Sequence, residues 1–446
     1  MGCGPATLSI LTFTVHCTIW KSSPKPSSLG DHDVSIEGHH LEGKRIALVI
    51  TGGIAAMKAP FVIRALRSQG ASVVVFASDE SLRYTTIDAL EWSSNNKVIN
   101  QLTASSEHLS DSNPFDIYLV APATYNTINK MANGIADSAA TTTLAVAIGR
   151  MERGKSKLMI APTAHGMLHN SLLTASLRKL ENLGVHIIPP REEHGKHKLP
   201  HEDHIVAEVS RVMSNSSLKN LAILVTGGPI PSSVDDVRQI SNVFTGRLGL
   251  AIATELHFRG ADVLLIQGSK AIQSPSWLPN ISVNNIVEYA DVITNSLTEK
   301  QYIAGIFSAA VADFRPNTPI TGKISSNNPL ELSLVPTDKI IDQVKTNFPD
   351  VYMITFKYEH NITHDELLSK AVDRIEQGYP VVVANRGNEK GSGGEQIAHL
   401  VSSSTKQPQK GVGKLEIAKM ITNHLEQIHE DNSNNIYNQG MAEQDG

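Results

Sequence analysis

Short apolar runs alternate with segments of helical pattern along most of the chain. In the first half, the apolar runs cover residues 44–50, 72–76, 116–120, 157–160 and 185–188. Each run has the length of a strand, and each segment between two runs is long enough for a helix. Strands that alternate with helices predict an α/β domain with a doubly wound parallel sheet.

The same alternation starts again after a short polar segment. Residues 214–217 read Ser-Asn-Ser-Ser, which is typical of a linker. A second set of apolar runs follows, and it covers residues 221–225, 263–266, 303–307, 330–334, 351–356 and 381–384. With a last helix at residues 414–424, the pattern predicts two Rossmann-like α/β domains, at residues 43–213 and 214–429.

The two ends of the chain lie outside this pattern. Residues 1–42 precede the first clear strand, and residues 430–446 are rich in asparagine and acidic residues, so we expect both to be disordered. Residues 7–20 are moderately apolar, but they include His16 and are shorter than the ~20 residues that span a bilayer. A weak interfacial segment is the alternative for them.

Composition and charge exclude some classes of binding partner. A chain of 446 residues can form two or three domains that each bury a core. A net charge of −5 and a pI near 6.4 provide no positive field for nucleic acid. Cys3 and Cys17 both precede the folded body, which fits a reducing compartment. We therefore expect a cytoplasmic protein without a nucleic-acid or membrane partner.

Polar turns follow two strands of the first half. Gly52 and Gly53 come after the strand at residues 44–50, where glycines allow the backbone to approach a phosphate; a plain tight turn is the alternative. The strand at residues 116–120 ends in residues 122–127, Pro-Ala-Thr-Tyr-Asn-Thr. Because open α/β sheets bind ligands at the carboxyl ends of their strands, we expect these turns to flank one ligand.

The second of these turns resembles the Pro-Ala-Ser-Ala-Asn-Thr segment of the flavin-containing cysteine decarboxylases, which make the thiol arm of coenzyme A. The resemblance covers about residues 42–211 and implies a flavodoxin-like flavoprotein domain in which Asn126 holds the substrate. It also implies that His108 is the base that takes the thiol proton, a task that suits an imidazole with a pKa of ~6.5; a surface histidine is the alternative. The residues that would bind FMN are Gly52, Gly53, Ser78, Thr124 and Thr127.

The loop at residues 162–170 departs from the bacterial form of that family. It contains Pro-Thr-Ala-His-Gly, where bacterial members have Pro-Ala-Met-Asn and archaeal members have Pro-Ala-Met-His-Gly, so the chain is similar to the archaeal type. In the bacterial form a flap cysteine returns a proton to the enethiol, and this chain has no cysteine after Cys17. Glu193, His194 and His197 are candidate substitutes, and a solvated charged loop is the alternative for each.

The second half, from about residue 218 to residue 425, resembles the phosphopantothenate–cysteine ligase domain. Residues 309–316 read Ala-Ala-Val-Ala-Asp-Phe-Arg-Pro, close to that family's Ala-Ala-Val-Ala-Asp-Tyr-Arg-Pro. The resemblance implies that Asn242 acts on the acyl-nucleotide and that Lys323 offsets charge at the α-phosphate; an ordinary surface lysine is the alternative. The residues that would contact the nucleotide are Gly228, Ala310, Asp313, Lys339 and Phe356.

Several positions of the second half depart from the ligase pattern. Asp373 and Gln377 stand where bacterial members carry two lysines, and Arg374 is a candidate replacement for one of them. Arg386 stands where the family has Asp, and residues 243–244 read Val-Phe in place of Arg-Ser. We expect weaker triphosphate binding or altered dimer contacts from these changes.

Together the resemblances imply a bifunctional enzyme of coenzyme A biosynthesis. The second domain would join 4′-phosphopantothenate to cysteine with CTP and Mg²⁺ through an acyl-cytidylate. The first domain would then decarboxylate the product with FMN to give 4′-phosphopantetheine. The resemblances also imply a homo-oligomer, and they assign no residue as a metal ligand. Another flavoprotein of the same fold and a regulatory binding protein on a decayed enzyme scaffold are the alternatives.

Overall fold

The computed structural model describes residues 27–442 apart from Ser110, Pro319, residues 326–328, Thr405 and Lys406, with side chains as far as residue 433. The predictions for residues 1–26 and 443–446 therefore lie outside the described residues. Within the described residues, no helix has both the length and the apolar character needed to cross a membrane.

Strands and helices alternate through the first domain, as the sequence predicted. The strands are β1 (Arg45–Ile50), β2 (Ser72–Ala77), β3 (Ile117–Thr124), β4 (Lys157–His165), β5 (His186–Ile187), β6 (Arg191–Glu193) and β7 (Lys196–Lys198). The helices are α1 (Ala59–Arg67), α2 (Ile87–Ser94), α3 (Tyr125–Ala132), α4 (Ala139–Glu152), α5 (Ser171–Asn182) and α6 (Glu202–Met213).

The sheet of the first domain is parallel in the order β2-β1-β3-β4-β5, and the β6–β7 hairpin pairs antiparallel with the end of β4. Both faces are covered. Ile46 and Leu48 pack on one side with α1 and α6, and Ala47 and Val49 pack on the other side with α3, α4 and α5. After β1 the chain forms β2 on one side of β1 and then crosses to form β3 on the other side. The carboxyl ends of β1 and β3 therefore form a ligand-binding crevice.

The second domain repeats the α/β pattern with more short strands. Its strands are β8 (Ala222–Gly227), β9 (Pro229–Ile230), β10 (Ser232–Ser233), β11 (Gln239–Ile240), β12 (Asp262–Gly268), β13 (Asn280–Val283), β14 (Ala304–Phe307), β15 (Ala310–Val311), β16 (Phe314–Pro316), β17 (Leu334–Pro336), β18 (Tyr352–Glu359), β19 (Val381–Arg386), β20 (Ile397–Ser402) and β21 (Gln409–Val412). Its helices are α7 (Arg247–Phe258), α8 (Ile286–Glu299), α9 (Ile340–Asn347), α10 (His364–Glu376) and α11 (Lys414–Ala442).

The main sheet of the second domain has the order β13-β12-β8-β14-β18-β19-β20-β21. It is parallel from β13 to β19, and β20 and β21 add an antiparallel edge. The chain reverses its winding direction between β8 and β14, so a second crevice forms where those strands end. The structure thus confirms two doubly wound α/β domains.

One predicted strand is wrong. The sequence placed a sheet strand at residues 330–334, but the observed strand β17 begins at Leu334 and pairs with β16 in a two-stranded arm outside the main sheet. Leu330, Leu332 and Leu334 are all exposed there. Their apolar pattern belongs to the arm and not to a buried strand.

Leu41 and helix α11 differ from the disorder that the sequence predicted for the chain ends. Leu41 is fully buried in the first core, and its backbone N–H donates to the carbonyl of Gln69 at 2.9 Å. Helix α11 continues to Ala442 instead of ending near residue 424. Its first turns are anchored by buried Ile417, Ile421 and Leu425, and further residues extend an anchored helix at little cost.

Candidate active sites

Hydroxyl groups join the ends of β1 and β3 in the first-domain crevice. Thr51 Oγ1 donates to the carbonyl of Pro122 at 2.7 Å and accepts from the backbone N–H of Thr124 at 3.1 Å. Thr124 Oγ1 lies 3.2 Å from Thr127 Oγ1. The predicted residues Thr124 and Thr127 are therefore together, and Thr51, which the sequence did not single out, holds their turn in place.

The two predicted glycines lie beside this threonine cluster. A Cβ added at Gly52 would come within 2.4 Å of Glu80 Cγ, and one added at Gly53 within 3.3 Å of Thr124 Cγ2. Any side chain at position 52 would therefore displace Glu80. Glycine at both positions lets this turn pack directly against Glu80 and Thr124.

Ser78 lies in a cavity of about 470 Å³ next to the crevice. The cavity is also lined by Asp79, Asn100 and the first turn of α4 around Thr142. Ser138 caps that helix by accepting a hydrogen bond from Thr141 N at 3.3 Å. A helix N-terminus with small hydroxyl residues favours a phosphate, so this cavity can hold the phosphate end of a ligand.

Asn126 and His108 share no hydrogen bond among the described residues. Asn126 is exposed in the first turn of α3, directly after the threonine cluster. His108 is half-buried, and its Nδ1 atom is buried without a hydrogen-bond partner among the described residues. Hydrogen bonds from the Thr103 hydroxyl and backbone N–H lower the pKa of the neighbouring Glu107 and fix that turn. No hydrogen bond links His108 to Asn126 in the described part of the chain.

The charged loop at residues 192–198 is a β-hairpin in the structure, and its three candidates differ in surroundings. Glu193 pairs with Arg191 and Lys198, and the Lys198 hydrogen bond lowers the pKa of its carboxyl group. His194 lies at the turn with 83% of its side chain exposed. His197 pairs with Ala164 at the end of β4, and its ring centroid lies 4.7 Å from that of His169. Only His197 combines partial burial with a place at the carboxyl edge of the sheet.

Glycines bring α7 against the end of β8 in the second-domain crevice. Gly228 has a φ of +74°, and an added Cβ would lie 2.5 Å from the Ala271 Cβ. A Cβ on Gly249 would lie 2.9 Å from the Gly227 Cα. These positions need glycine, and they bring the N-terminus of α7 close to the end of β8, an arrangement that suits a phosphate group.

Asn242 joins two distant motifs of the second half. Its Nδ2 donates to the carbonyls of Ala310 and Val311 at 3.1 and 3.2 Å. Strand β15, which contains these two residues, pairs with β9 directly after Gly228. Asn242, Gly228 and Ala310 are therefore brought together, and both amide hydrogens of Asn242 are used to hold β15.

Two aspartates fix the loop that carries Lys323. Asp235 accepts backbone hydrogen bonds from Val237, Arg238 and Ile324 at 2.8, 2.6 and 3.0 Å. Asp236 Oδ2 accepts from Gly322 N at 2.9 Å. The hydrogen bond from Ile324 N is the largest cause that lowers the pKa of Asp235, so its carboxylate stays charged. Lys323 itself is exposed between these anchored residues.

The remaining predicted nucleotide contacts differ from one another in their surroundings. The carbonyl of Asp313 accepts from Thr337 N at 2.9 Å, which places Asp313 near Lys339 at the start of α9. Both side chains are exposed. Phe356 is half-buried on β18, and its carbonyl accepts from Arg374 Nη1 at 2.8 Å. Arg374 thus supports the strand that carries Phe356.

Sequence reasoning missed the residues that act as supports. Thr51, Asp235 and Asp236 lie next to predicted site residues, but their partners are 71 to 89 positions away along the chain. In the same way, Ser176 Oγ donates to Asn129 Oδ1 at 2.7 Å and joins α5 to α3 behind the Asn126 turn. A local signal was available for Asp235 alone, because aspartate is common where a turn begins.

Known protein families and relatives match both halves of the chain. The family model described as Flavoprotein matches residues 34–214, and the one described as DNA/pantothenate metabolism flavoprotein C-terminal domain matches residues 218–428. The coenzyme A biosynthesis bifunctional protein CoaBC of Thermococcus kodakarensis is 35% identical over 395 residues, which are 87% of this chain and 96% of that protein. The protein of the same name from Methanocaldococcus jannaschii is 28% identical over 392 residues, 87% of this chain and 94% of that protein.

Solved structures match single halves of the chain. The DNA/pantothenate metabolism flavoprotein from Streptococcus pneumoniae is 26% identical and covers 47% of this chain and 100% of its own, with a TM-score of 0.42. The two relatives above extend over both halves and are archaeal, in agreement with the loop at residues 162–170. The chain therefore belongs to the family of coenzyme A biosynthesis bifunctional proteins.

Proposed function

We propose that the ligase and decarboxylase activities of this family are divided between the two crevices. The second domain joins 4′-phosphopantothenate to cysteine, using CTP and Mg²⁺ and an acyl-cytidylate. The first domain decarboxylates the product to 4′-phosphopantetheine with FMN. The observation that carries the proposal is that residues of separate motifs meet at the carboxyl ends of β8 and β14, most clearly where Asn242 holds the backbone of Ala310.

In the ligase crevice, we assign the nucleotide phosphates to the N-terminus of α7, near Gly228. Lys323 approaches from a loop that Asp235 and Asp236 hold by backbone hydrogen bonds. Its positive charge offsets the charge that builds when the substrate carboxylate attacks the α-phosphate. Asp313 and Lys339 contact the nucleotide from the rim, and Phe356 contacts the base.

Asn242 serves the second half-reaction, in which cysteine displaces CMP. Its amide hydrogens are bound to backbone carbonyls, so its Oδ1 atom remains to face the acyl-nucleotide and the incoming amine. The reaction forms an amide bond and releases CMP. Asn242 therefore positions one reactant and does not supply charge to the first half-reaction.

In the decarboxylase crevice, the residues fit a flavin. The turn at Gly52 and Gly53 lets the backbone approach a ligand closely, and Ser78 with the first turn of α4 accommodates a phosphate. Thr124 and Thr127 provide hydroxyl groups between these two places. FMN supplies the acceptor for the two electrons that leave the substrate.

The chain's own residues then bind the substrate and move its protons. Asn126 holds the substrate carboxylate with its exposed amide. His108 takes the thiol proton, and its buried Nδ1, which has no hydrogen-bond partner among the described residues, is the observation that favours it. His197 returns a proton to carbon in the last step, in the role of the absent flap cysteine. We favour it over His194, which is exposed to solvent at the hairpin turn.

Half-reaction assays test the ligase assignment. With CTP, Mg²⁺ and 4′-phosphopantothenate, Lys323→Gln should release no pyrophosphate. Asn242→Asp should release pyrophosphate and retain the acyl-nucleotide, and mass spectrometry would detect that adduct. Lys390→Gln, at an exposed lysine of the same domain, is the control and should behave as the parent. A block at the same step in both site variants would overturn the division of roles.

A further inference from the structure

Two histidines and a glutamate form a cluster in the second domain that neither half-reaction uses. His364 is the first residue of α10, Glu389 lies in the connection after β19, and His399 lies in β20. One ligand-type atom from each side chain lies within 4.8 Å of the other two. No other group of three such side chains comes this close in the described part of the chain.

One distance in the cluster suits a bound ion better than a hydrogen bond. His399 Nε2 and Glu389 Oε1 are 3.4 Å apart, which is long for a hydrogen bond. Two ligands of one tetrahedral zinc ion, each about 2.0 Å from the metal, are roughly 3.3 Å apart. The ring centroids of His364 and His399 lie 4.7 Å apart at an interplanar angle of 65°, so the two imidazoles can converge on one point.

The surrounding structure holds each of the three side chains. Arg386 Nε donates to Glu389 Oε2 at 3.0 Å, which leaves Oε1 directed at His399. Thr363 caps α10 by a reciprocal hydrogen-bonded box with Glu366 and so fixes the backbone at His364. His399 is 5% exposed and lies opposite Ala384 in the buried part of the sheet. Hydrogen bonds to the outer side of a ligand orient it for a metal.

We propose that His364, Glu389 and His399 bind one divalent transition-metal ion of the zinc class, with water as the fourth ligand. Imidazole with one carboxylate is a ligand set for Zn²⁺ and Co²⁺, whereas Mg²⁺ selects oxygen ligands. The site is therefore separate from the Mg²⁺ that accompanies CTP. Because the three ligands come from α10, β20 and the connection between β19 and β20, the ion ties these segments together.

Nearby positive charges limit the affinity of the site. Arg386 contacts Glu389, and Lys410 lies opposite His399 on β21. Glu389 supplies the single negative charge among the three ligands. We therefore expect weaker binding than at structural zinc sites with four protein ligands.

Cobalt and zinc titrations of the full chain test the site. After treatment with a chelator, the parent protein should bind one Co²⁺ with the absorption bands of a tetrahedral complex, and added Zn²⁺ should displace the Co²⁺ and raise the melting temperature. His364→Gln, Glu389→Gln and His399→Gln should each lower Co²⁺ affinity by more than the roughly 10- to 100-fold typical of an outer-sphere partner. His429→Gln, outside the cluster on α11, should bind Co²⁺ as the parent does.

The same experiment can overturn the proposal. A parent protein that binds no Co²⁺ would exclude the site, as would equal Co²⁺ binding in the parent and all three variants. Each variant is compared only if its melting temperature in chelator matches that of the parent. If the glutamine variants fail this criterion, Arg386→Lys replaces them; it keeps the positive charge but loses the Nε hydrogen bond to Glu389 Oε2, so it should lower Co²⁺ affinity about 10-fold with the ligands intact. Unchanged affinity in that variant would also contradict the proposal.

Discussion

The two domains use the same topology but hold their proposed site residues in different ways. In the second domain, Asn242 and the loop of Lys323 are fixed by side-chain hydrogen bonds to backbone groups of a distant motif. In the first domain, Thr51, Thr124 and Thr127 fix a turn, while Asn126 and the buried Nδ1 of His108 keep free polar atoms in the described structure. In the ligase crevice, hydrogen bonds within the protein therefore hold these site residues in place. In the decarboxylase crevice, polar groups of the described residues remain unpaired and can bind ligands.

This difference predicts which substitutions act on chemistry alone. Replacing a group that holds backbone should affect both the geometry of the site and its activity. Replacing a group without a protein partner should remove a chemical step and leave the fold unchanged.

The largest effect is expected at His108. His108→Asn should keep the flavin and the melting temperature but lower decarboxylation by ~10²-fold or more, because a general base is lost. CO₂ release from 4′-phosphopantothenoylcysteine and the flavin absorption band measure the two properties. His201→Asn, at an exposed position, is the matched control. Full decarboxylation by His108→Asn would place the base elsewhere.

A second large effect is expected at His197. His197→Asn should release CO₂ but form about 10²-fold less 4′-phosphopantetheine, since the proton donor to carbon is missing. His194→Asn, on the same hairpin, should form both products at the parent rate. The ratio of CO₂ to 4′-phosphopantetheine, measured in each variant, shows whether the last protonation step is impaired. An unchanged ratio in both variants would indicate that the hairpin histidines are only solvated surface residues and that water donates the proton.

A smaller effect is expected in the braced ligase crevice. Asp235→Asn should slow pyrophosphate release about 10-fold, because an amide group in place of the carboxylate weakens the backbone hydrogen bonds that hold the Lys323 loop. Decarboxylation of supplied 4′-phosphopantothenoylcysteine should remain at the parent rate. Asp236→Asn, which loses its charge but keeps an oxygen for Gly322, should have the weaker effect of the two. Equal pyrophosphate release in the parent and Asp235→Asn would show that Asp235 does not hold the Lys323 loop for catalysis.

The sequence predicts the sheets and many of the proposed contacts because these depend on local signals. Strands β1 and β3 are continuous apolar runs, and the turns after them contain glycine and small hydroxyl residues. Asn242 donates to residues 68 and 69 positions away, and Asp235 also accepts from Ile324, 89 positions away, so these long-range contacts depend on tertiary folding that no local pattern encodes. The same reason hides the cluster of His364, Glu389 and His399.

The smallest and most gradual effect is expected where α6 contacts α7, between Glu208 and His257. Ionisable groups there should make the free energy of unfolding depend on pH. Burial lowers the pKa of His204 below its ordinary 6.5. Burial opposes the ionisation of Glu208, but hydrogen bonds with His186 and the proximity of His257 outweigh it and lower the pKa of Glu208. Both groups bind more protons in the unfolded state, so both make stability rise with pH.

The free energy of unfolding should therefore fall in two windows as the solution is acidified. The first begins near pH 6.5 with His204 and with His399 and His424, whose pKa burial also lowers, and the second begins near pH 4.5 with Glu208. Urea denaturation at a series of pH values measures this dependence. His204→Gln should flatten the first window, and His201→Gln should not. A first window that persists unchanged in His204→Gln would assign it to other groups.

We infer that one chain performs two reactions at two separate crevices. Product analysis by mass spectrometry tests this inference most directly. With 4′-phosphopantothenate, cysteine, CTP, Mg²⁺ and FMN, the parent should form 4′-phosphopantetheine, and His108→Asn should accumulate 4′-phosphopantothenoylcysteine. Lys323→Gln should form neither product from these substrates but should decarboxylate 4′-phosphopantothenoylcysteine when it is supplied. Loss of both activities in either single variant, or full product formation by both variants, would contradict the account.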